Sequence, residues 1–281
     1  MRNNRDIIKA TGKRERFSKG KLYRSLKRAG VDASLAEKVS TKVAKNIYHG
    51  INSKEVLKQA TSYLKKENPI LAAKYNLKKS IMELGPTGFP FEKYIAEILK
   101  EHGFKTEVGR IIKGKCIRHE VDIIARKNGK RFMVECKYHN HRGLYSDTKV
   151  VLYTFARFLD LKEGRNFQRA LLVTNTRCTS GAVRYARCVG LKIISWRYPK
   201  NEGLEYLIEK KGLYPITILP SLNKYTRERL AQQKLILAKD LLKYSIKDLI
   251  RLTGLKMNII KKLQEQAQEL YIPKQYLNKK Y

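Results

Sequence analysis

Acidic residues are scarce in this 281-residue chain, where 25 Asp and Glu stand against 61 Lys and Arg and the formal net charge is +36. An excess of this size repels itself in a compact chain and attracts polyanions, so nucleic acid is the expected partner. A ribosomal or merely adhesive basic protein is the alternative. The patterned apolar segments argue against a disordered basic tail.

Three other features are missing. The four cysteines have no CxxC spacing, so a zinc site is not expected, and we interpret them as reduced core residues of a cytosolic protein: Cys116, Cys136, Cys178 and Cys188. No apolar run approaches the length of a membrane span, and the N-terminus has no apolar signal region. We therefore expect a soluble, cytoplasmic protein with no membrane partner. No GxxxxGK[ST] phosphate loop occurs, so ATP is not expected to drive a motor.

The chain reads as three blocks, residues 1–84, 85–199 and 200–281. The first begins with a short strand and continues as helices, and the Pro/Gly-rich stretch at 85–92 marks a boundary. The second has the order helix, three strands, helix, strand, helix, strand, which predicts an α/β fold with a mixed sheet flanked by helices. The third is predicted to be helical, including one helix over 227–244.

A hairpin is predicted in the second block, where residues 118–126 pair with 131–138 across the turn Asn128-Gly129. Asp122 lies six residues before the turn and Glu135 six after it, so they are expected to lie roughly opposite each other. Side chains alternate along a strand, so Lys137 projects to the same side as Glu135 and Cys136 projects into the core.

Two carboxylates at one place would repel each other, and a divalent cation with a preference for oxygen ligands, Mg²⁺ or Mn²⁺, removes that penalty. A lysine beside them can hold or activate a metal-bound water that attacks a phosphate. The alternative is a pair of exposed strand charges, or a Glu–Lys contact along one strand. The apolar flanks indicate strands that are buried on both faces, where unpaired charges are costly.

This block resembles the PD-(D/E)xK nucleases, and most closely the restriction-endonuclease domain of the Mrr type. The resemblance rests on "GPTGFPFEKYIAEILKEHGF", "HEVDIIA", "VECKYH" and "ALLVTNTRCTSGAVRYARCVGLKIISW", and it covers residues 85 to about 198. It implies that Asp122 and Glu135 are metal ligands, that Lys137 is the catalytic lysine, and that Glu92 on the first helix adds an acidic group. Val121 stands where the family has proline.

The Mrr resemblance implies a magnesium-dependent DNA endonuclease in restriction and defence, with repair or junction resolution as the nearest enzymatic alternative. Four other polar residues are not expected to take part in catalysis directly. His139 and His141 contact DNA or border the site, and Asp160 and Glu163 are ordinary helix-surface charges. Cleavage of both strands would need two active sites, so a homodimer is expected.

Residues 1–84 open with a basic strand, a turn and a helix, which could contact DNA. Their order of features also resembles the ATP-cone nucleotide-sensing domain, through "IIKATGKRERFSKGKLYRSLKRAG", "HGINSKEV" and "PILAAKYNLKK". The resemblance implies nucleotide contacts by Lys9, Glu15, Arg16, Phe17, Ser18, Lys21 and Ser53, although Phe17 could serve the core alone. The family's Lys-Arg-Asp-Gly is "KATG" here. ATP or dATP would then be a regulatory ligand.

Two readings of the last block remain open. Short helices around Thr253-Gly254 resemble a helix-hairpin-helix, whose backbone amides meet a DNA phosphate, with Lys256, Lys261 and Lys262 nearby. The other reading is a helical bundle that packs on the nuclease or forms a dimer. For the whole chain, the alternative to an enzyme is a nucleotide-responsive DNA-binding regulator with an inactive nuclease sheet.

Overall fold

A computed structural model describes residues 5–85, 89–165 and 167–271 of the chain. The chain divides into two compact units: one holds the residues up to Ser80 and those from Ile216 onward, and the other is Ile81–Pro215. The predicted α/β fold class is confirmed, with a mixed sheet flanked by helices, an N-terminal mainly helical region and C-terminal helices. Within the described ranges, no helix has both the length and the apolar character needed to cross a membrane.

The N-terminal part of the first unit is a helical layer around a three-stranded sheet. Its elements are β1 (Asp6–Ile8), β2 (Arg14–Arg16), α1 (Lys19–Arg28), α2 (Ala33–Lys45), β3 (Ile51–Asn52), α3 (Ser53–Glu67), α4 (Pro69–Tyr75) and α5 (Leu77–Met82). Strand β1 is central, antiparallel to β2 and parallel to β3. Strands β2 and β3 were not predicted, because strands of three and two residues are too short to show an alternating pattern.

The second unit contains a five-stranded sheet. Its elements are α6 (Phe89–Glu101), β4 (Lys105–Lys113), β5 (Arg118–Lys127), β6 (Lys130–Lys137), β7 (Tyr145–Ser146), α7 (Thr148–Arg165), β8 (Arg169–Thr174), β9 (Arg177–Cys178), α8 (Ser180–Cys188), β10 (Lys192–Ile194) and α9 (Leu204–Lys211). The strand order is β10-β8-β6-β5-β4. Strands β4, β5 and β6 form an antiparallel meander, and β8 and β10 continue the sheet parallel to β6.

Strand β6 is therefore the seam between the antiparallel and parallel halves of the sheet. The hairpin that leads into it turns at Asn128 and Gly129, both of which have positive φ, of 50° and 71°. Asn and Gly tolerate this left-handed conformation best, which is why an Asn-Gly pair indicates a tight hairpin. The apolar residues that flank the predicted carboxylates are all buried, as expected: Val121, Ile123, Ile124, Met133 and Val134.

The last part of the chain differs from its prediction. The elements there are α10 (Lys224–Gln232), a 3₁₀ turn at Ala238–Lys243, α11 (Ile246–Thr253) and α12 (Met257–Tyr271). A single helix over 227–244 was wrong, because Lys234 has a φ of 58° and a right-handed helix cannot continue through it. Leu235 and Leu237 are buried in a non-helical segment, so their apolar character was misread as a helical stripe.

Candidate active site

The hairpin of β5 and β6 brings the two predicted carboxylates together. Ile123 pairs with Val134, and continuing that register by one residue sets Asp122 opposite Glu135. The backbone N–H of Cys136 donates to Asp122 Oδ2 at 2.7 Å, which ties the aspartate to the strand that carries the glutamate. The Glu135 side chain is only 15% exposed. Two acidic side chains thus share a largely buried position on adjacent strands.

Burial disfavours the charged form of both carboxylates, so the pKa values of both are raised. The pKa of Glu135 is raised to about 7: burial and the charge of Asp122 raise it, and the charges of Arg157 and Lys137 partly oppose the rise. Burial also raises the pKa of Asp122, against the hydrogen bond from Cys136 and the charge of Arg157.

Glu92 joins this group from the first turn of α6. Burial, together with the charges of Asp122 and Glu120, raises its pKa to about 7. The three acidic residues predicted for the site therefore share one electrostatic environment. A carboxylic acid with a pKa near neutrality can take up or release a proton at physiological pH.

Lys137 is the last residue of β6 and is exposed. It follows Glu135 by two residues, so both project to the same side of the strand, and its charge favours ionisation of Glu135 by lowering the pKa. The next residue, Tyr138, anchors this end of the strand: its hydroxyl donates to the carbonyl oxygen of Met82 at 2.6 Å, and its ring lies 5.4 Å from the ring of Phe91.

Arg157 is a site residue that the sequence analysis missed. It lies on α7, is 9% exposed, and its guanidinium donates to Glu135 Oε2 and to the carbonyl oxygen of Glu120. A signal for it existed in the sequence. Arg157 falls between Thr154 and Phe158 on the buried side of its helix, and a charged residue within such a stripe needs a partner across the packing interface.

The loop after β6 holds the two histidines. The backbone N–H of His139 donates to Asn175 Oδ1 at 2.9 Å, and Asn175 Nδ2 donates to the carbonyl oxygen of His139 at 2.7 Å. The His139 ring nitrogen Nε2 lies 3.1 Å from Ser146 Oγ. These contacts fix the loop to the chain just after β8, while His141 is exposed. A position at the border of the site and a contact with DNA both remain predictions for these two residues.

The side chains of the site suit some metal ions better than others. Among the described residues, no group of three or more His, Cys, Asp or Glu side chains is arranged to hold one. Mg²⁺, however, is typically held by one or two protein carboxylates, with waters and substrate phosphates as its other ligands. The Asp122 and Glu135 pair fits that requirement. Zinc, which prefers three or four protein ligands with nitrogen or sulfur donors, does not fit.

A second cluster lies in the first unit, at the start of α1. Lys21 Nζ lies 2.7 Å from one oxygen of Glu15, and Lys9 Nζ lies 3.4 Å from the other. The hydrogen bond from Lys21 lowers the pKa of Glu15. Ser18 caps the helix, because its Oγ accepts from the N–H of Lys21 at 3.2 Å. Four predicted nucleotide-contacting residues therefore lie together.

The other three residues predicted to contact the nucleotide differ in their surroundings. Phe17 is partly buried and packs against the hydrophobic core, which supports the core role considered for it. Arg16 is exposed on β2. Ser53 is the first residue of α3. Ile8 pairs with Asn52 in parallel strands, so the next residues along each strand, Lys9 and Ser53, are neighbours. The side chain of Asn52, not that of Ser53, caps α3 by accepting from the N–H of Lys54.

Three family models match the chain in sequence order: the ATP cone domain over residues 5–81, the Mrr-type catalytic domain of restriction endonucleases over 86–198, and an AF1548-like C-terminal domain over 214–271. An uncharacterized protein of Archaeoglobus fulgidus is 43% identical over 146 residues, which are 52% of this chain and 82% of that protein. The chain belongs to the same family as this protein. It contains an Mrr-type restriction-endonuclease catalytic domain, preceded by an ATP cone domain.

A solved structure is also similar. The crystal structure titled protein of unknown function AF1548 is 36% identical, with a TM-score of 0.59, and the match covers 66% of this chain and 98% of that one. The similarity supports the same arrangement of elements over the matched part. Neither relative has an assigned activity in its name, so the chemistry of this chain is argued from its own residues.

One charge in the Mrr-type domain was misjudged. Asp160 is not an ordinary surface charge, because its carboxylate accepts from the backbone N–H of Cys116 at 2.6 Å and Ile117 at 3.3 Å, and lies 2.7 Å from His119 Nε2. These hydrogen bonds hold its pKa well below the usual range. It secures the turn between β4 and β5 to α7. Glu163 is the exposed residue that was expected, paired with Lys115 at 2.8 Å.

The cysteine prediction was half wrong. All four cysteines are free, but Cys116 and Cys188 are exposed and not part of the core. Cys116 lies in the turn after β4, and Cys188 ends α8 on its solvent side. Burial raises the pKa of the Cys136 thiol, and the charges of Asp122, Glu92 and Glu135 raise it further, so this thiol stays protonated and is a poor metal ligand.

The AF1548-like domain has the two helices expected around Thr253-Gly254. Gly254 ends α11 with a φ of 67°, and α12 begins at Met257. Lys256, Lys261 and Lys262 are all exposed, while Leu249, Leu255, Ile260 and Leu263 are buried. The helix pair therefore has an apolar side and a lysine-bearing side. Residues from Ile216 onward belong to the same compact unit as the ATP cone, and Thr217 Oγ1 donates to the carbonyl oxygen of Ser80 at 2.6 Å.

Proposed function

We propose that this protein is a divalent-metal-dependent DNA endonuclease whose activity responds to an adenine nucleotide. The observation that carries the proposal is the position of Asp122 and Glu135 on adjacent strands, one residue beyond the paired Ile123 and Val134, with the Cys136 N–H donating to Asp122. Lys137 ends the strand that carries Glu135. This is the residue set that the Mrr-type domain needs for phosphodiester hydrolysis, and no member of it has been replaced by an inert side chain.

The carboxylates of Asp122 and Glu135 would hold Mg²⁺ or Mn²⁺, which lowers the pKa of bound water and stabilises negative charge on the phosphate. Lys137 would orient the attacking water and offset charge that develops on the phosphate oxygens. Glu92, with a pKa of about 7, would accept or return a proton during hydrolysis.

DNA is the proposed substrate because the chain carries a net charge of +36 and its catalytic domain is of the restriction-endonuclease type. The exposed lysines beside α11 and α12 would add contacts to the DNA backbone. A role in defence follows the Mrr-type family, and repair or junction resolution is the nearest alternative. A homodimer would supply the two active sites needed to cut both strands.

The ATP cone would bind ATP or dATP through Lys9, Glu15, Ser18 and Lys21. A nucleotide bound there changes cleavage only if its affinity differs between an active and an inactive state of the protein. The ammonium groups of Lys9 and Lys21 are suited to binding phosphate, and α1 adds backbone N–H groups at its N-terminus. Regulation, not energy supply, is the proposed role of the nucleotide.

The test is a cleavage assay on plasmid and linear DNA, methylated and unmethylated, with Mg²⁺, Mn²⁺ or EDTA, and with or without ATP and dATP. Wild type should nick or cut at least one substrate only when a divalent ion is present, and Lys137→Ala should bind DNA without cleaving it. Lys130→Ala, at the exposed start of the same strand, is the matched control and should cleave normally. Wild-type binding without nicking on every substrate would favour the nucleotide-responsive DNA-binding regulator.

A further inference from the structure

Arg157 is a buried cation in contact with a proposed metal ligand. One arm of its guanidinium donates to Glu135 Oε2, and the other donates to the carbonyl oxygen of Glu120. The guanidinium carbon lies 5.3 Å from the centroid of the Tyr153 ring, one helical turn earlier on α7. Its charge also acts on Asp122. The chain itself therefore supplies a buried positive charge to the site, in addition to the exposed Lys137.

A structural tie between α7 and the sheet would explain the bond to the Glu120 carbonyl oxygen, but not the choice of the second partner. An uncharged side chain would fasten the helix without the cost of burying a cation. The guanidinium is instead directed at the acidic residue that the proposed function needs for the metal. Arginine stays charged at every physiological pH, so this positive charge cannot be removed by losing a proton.

Two cations on one carboxylate repel each other. A divalent ion on Glu135 would bring two further positive charges close to the Arg157 guanidinium, in surroundings that screen charges less than bulk water does. A metal that binds Glu135 must therefore displace the arm of Arg157 that holds it or tolerate a strong repulsion. The arm on the Glu120 carbonyl oxygen can stay in place while the other arm moves.

We propose that Arg157 is an internal counter-ion that competes with the divalent cation for Glu135. In the metal-free protein it pairs with that carboxylate and keeps the site compact. Its presence also sets the metal affinity below the value that the two carboxylates would give alone. This inference rests on the proposed function, because it takes Asp122 and Glu135 as the metal ligands.

The test is calorimetric titration of the full-length protein with Mn²⁺ at pH 8.5, in the absence of DNA and nucleotide. Arg157→Met, which fills a similar volume without charge, should bind Mn²⁺ at least about tenfold more tightly than wild type, or about 1.4 kcal/mol. Lys162→Met removes an exposed charge from the same helix and should bind like wild type. A folded Arg157→Met with wild-type or weaker affinity overturns the proposal.

A second measurement uses wild type alone, so that it does not depend on the folding of a variant. The side-chain nitrogen resonances of Arg157 should shift as Mg²⁺ is added and should saturate together with metal binding. Resonances that stay fixed while Mg²⁺ binds would overturn the proposal. Failure of the proposed function gives a different result. In that case wild type either does not bind Mn²⁺ or binds it as well as Asp122→Asn does.

Discussion

The backbone nitrogen of Cys136 lies 2.7 Å from Asp122 Oδ2, so the strand that carries Glu135 and Lys137 is hydrogen-bonded to the carboxylate of the neighbouring strand. The hairpin thus aligns the acidic pair through its own backbone. The cost is that Asp122 is held where burial raises its pKa. Functional sites that hold charged groups in a buried position lower the stability of the folded protein.

Asp122→Asn should stabilise the metal-free protein. The amide oxygen can still accept from Cys136, while the buried negative charge and its repulsion of Glu135 and Glu92 disappear. We expect the melting temperature at pH 8 to rise by about 2–6 °C, with loss of DNA cleavage. Glu97→Gln, which removes a half-buried acid paired with Lys100 on α6, is the control and should change neither. A fall in melting temperature would contradict this account of the site.

The metal-free protein should also lose stability as pH rises. Glu92 and Glu135 have folded-state pKa values of about 7, above the value of 4.5 in an unfolded chain. Their contribution is therefore fully present below about pH 4.5 and is lost as pH rises through 7. Differential scanning fluorimetry at pH 5.5 and 8 should show a larger gain in melting temperature from Mg²⁺ at pH 8. An equal gain at both pH values would argue against metal binding by these carboxylates.

Lys21→Ala should weaken nucleotide binding. Lys21 is exposed, pairs with Glu15 and lies at the N-terminus of α1, where its ammonium can reach a phosphate. We expect about a tenfold loss of affinity for ATP and dATP, or about 1.4 kcal/mol, by titration calorimetry. Lys27→Ala changes the same residue type in the last turn of that helix and is the control. Unchanged affinity in Lys21→Ala would count against this cluster as the nucleotide site.

Asp160→Asn should destabilise the second unit more than Glu163→Gln does. Asp160 accepts from two backbone N–H groups and contacts His119, whereas Glu163 makes an exposed ion pair with Lys115. Exposed ion pairs contribute little, whereas Asn keeps only one of the two oxygens that accept from Cys116, Ile117 and His119, so at least one of these donors loses its acceptor. Because the pKa of Asp160 is lowered, its contribution is present above the unfolded pKa and lost as pH falls. Urea unfolding of both variants at pH 7 and 3.5 would check the order and the pH dependence.

Reversing the charges of Lys256, Lys261 and Lys262 distinguishes the two readings of the C-terminal helices. If they contact the DNA backbone, replacing all three by Glu should lower DNA affinity and reduce the slope of log K against log salt by about 0.9 per lost contact. Replacing the exposed Lys58, Lys65 and Lys66 of α3 by Glu gives the same change in net charge. A bundle without a DNA role predicts equal losses in the two triple variants.

The sequence predicted most of what local patterns determine. The Asn128-Gly129 turn and the spacing of Asp122 and Glu135 were enough to predict the hairpin that brings the acids together. Arg157 could not be placed in the same way, because its contact with Glu135 crosses 22 residues and depends on how α7 packs on the sheet. Asp160 was misjudged for the same reason, since its partners are more than 40 residues away.

Strand β6 has a neighbour on each side, antiparallel β5 and parallel β8. Edge strands can fray while the rest of a sheet persists, but a middle strand exchanges its amide hydrogens only when the sheet itself opens. Glu135 and Lys137 are on that middle strand, and Asp122 is on its neighbour. The amides of residues 132–136 should therefore be among the slowest to exchange in deuterium oxide, and heat inactivation should coincide with cooperative melting of this unit. The proposed catalytic residues would keep their positions until the sheet unfolds.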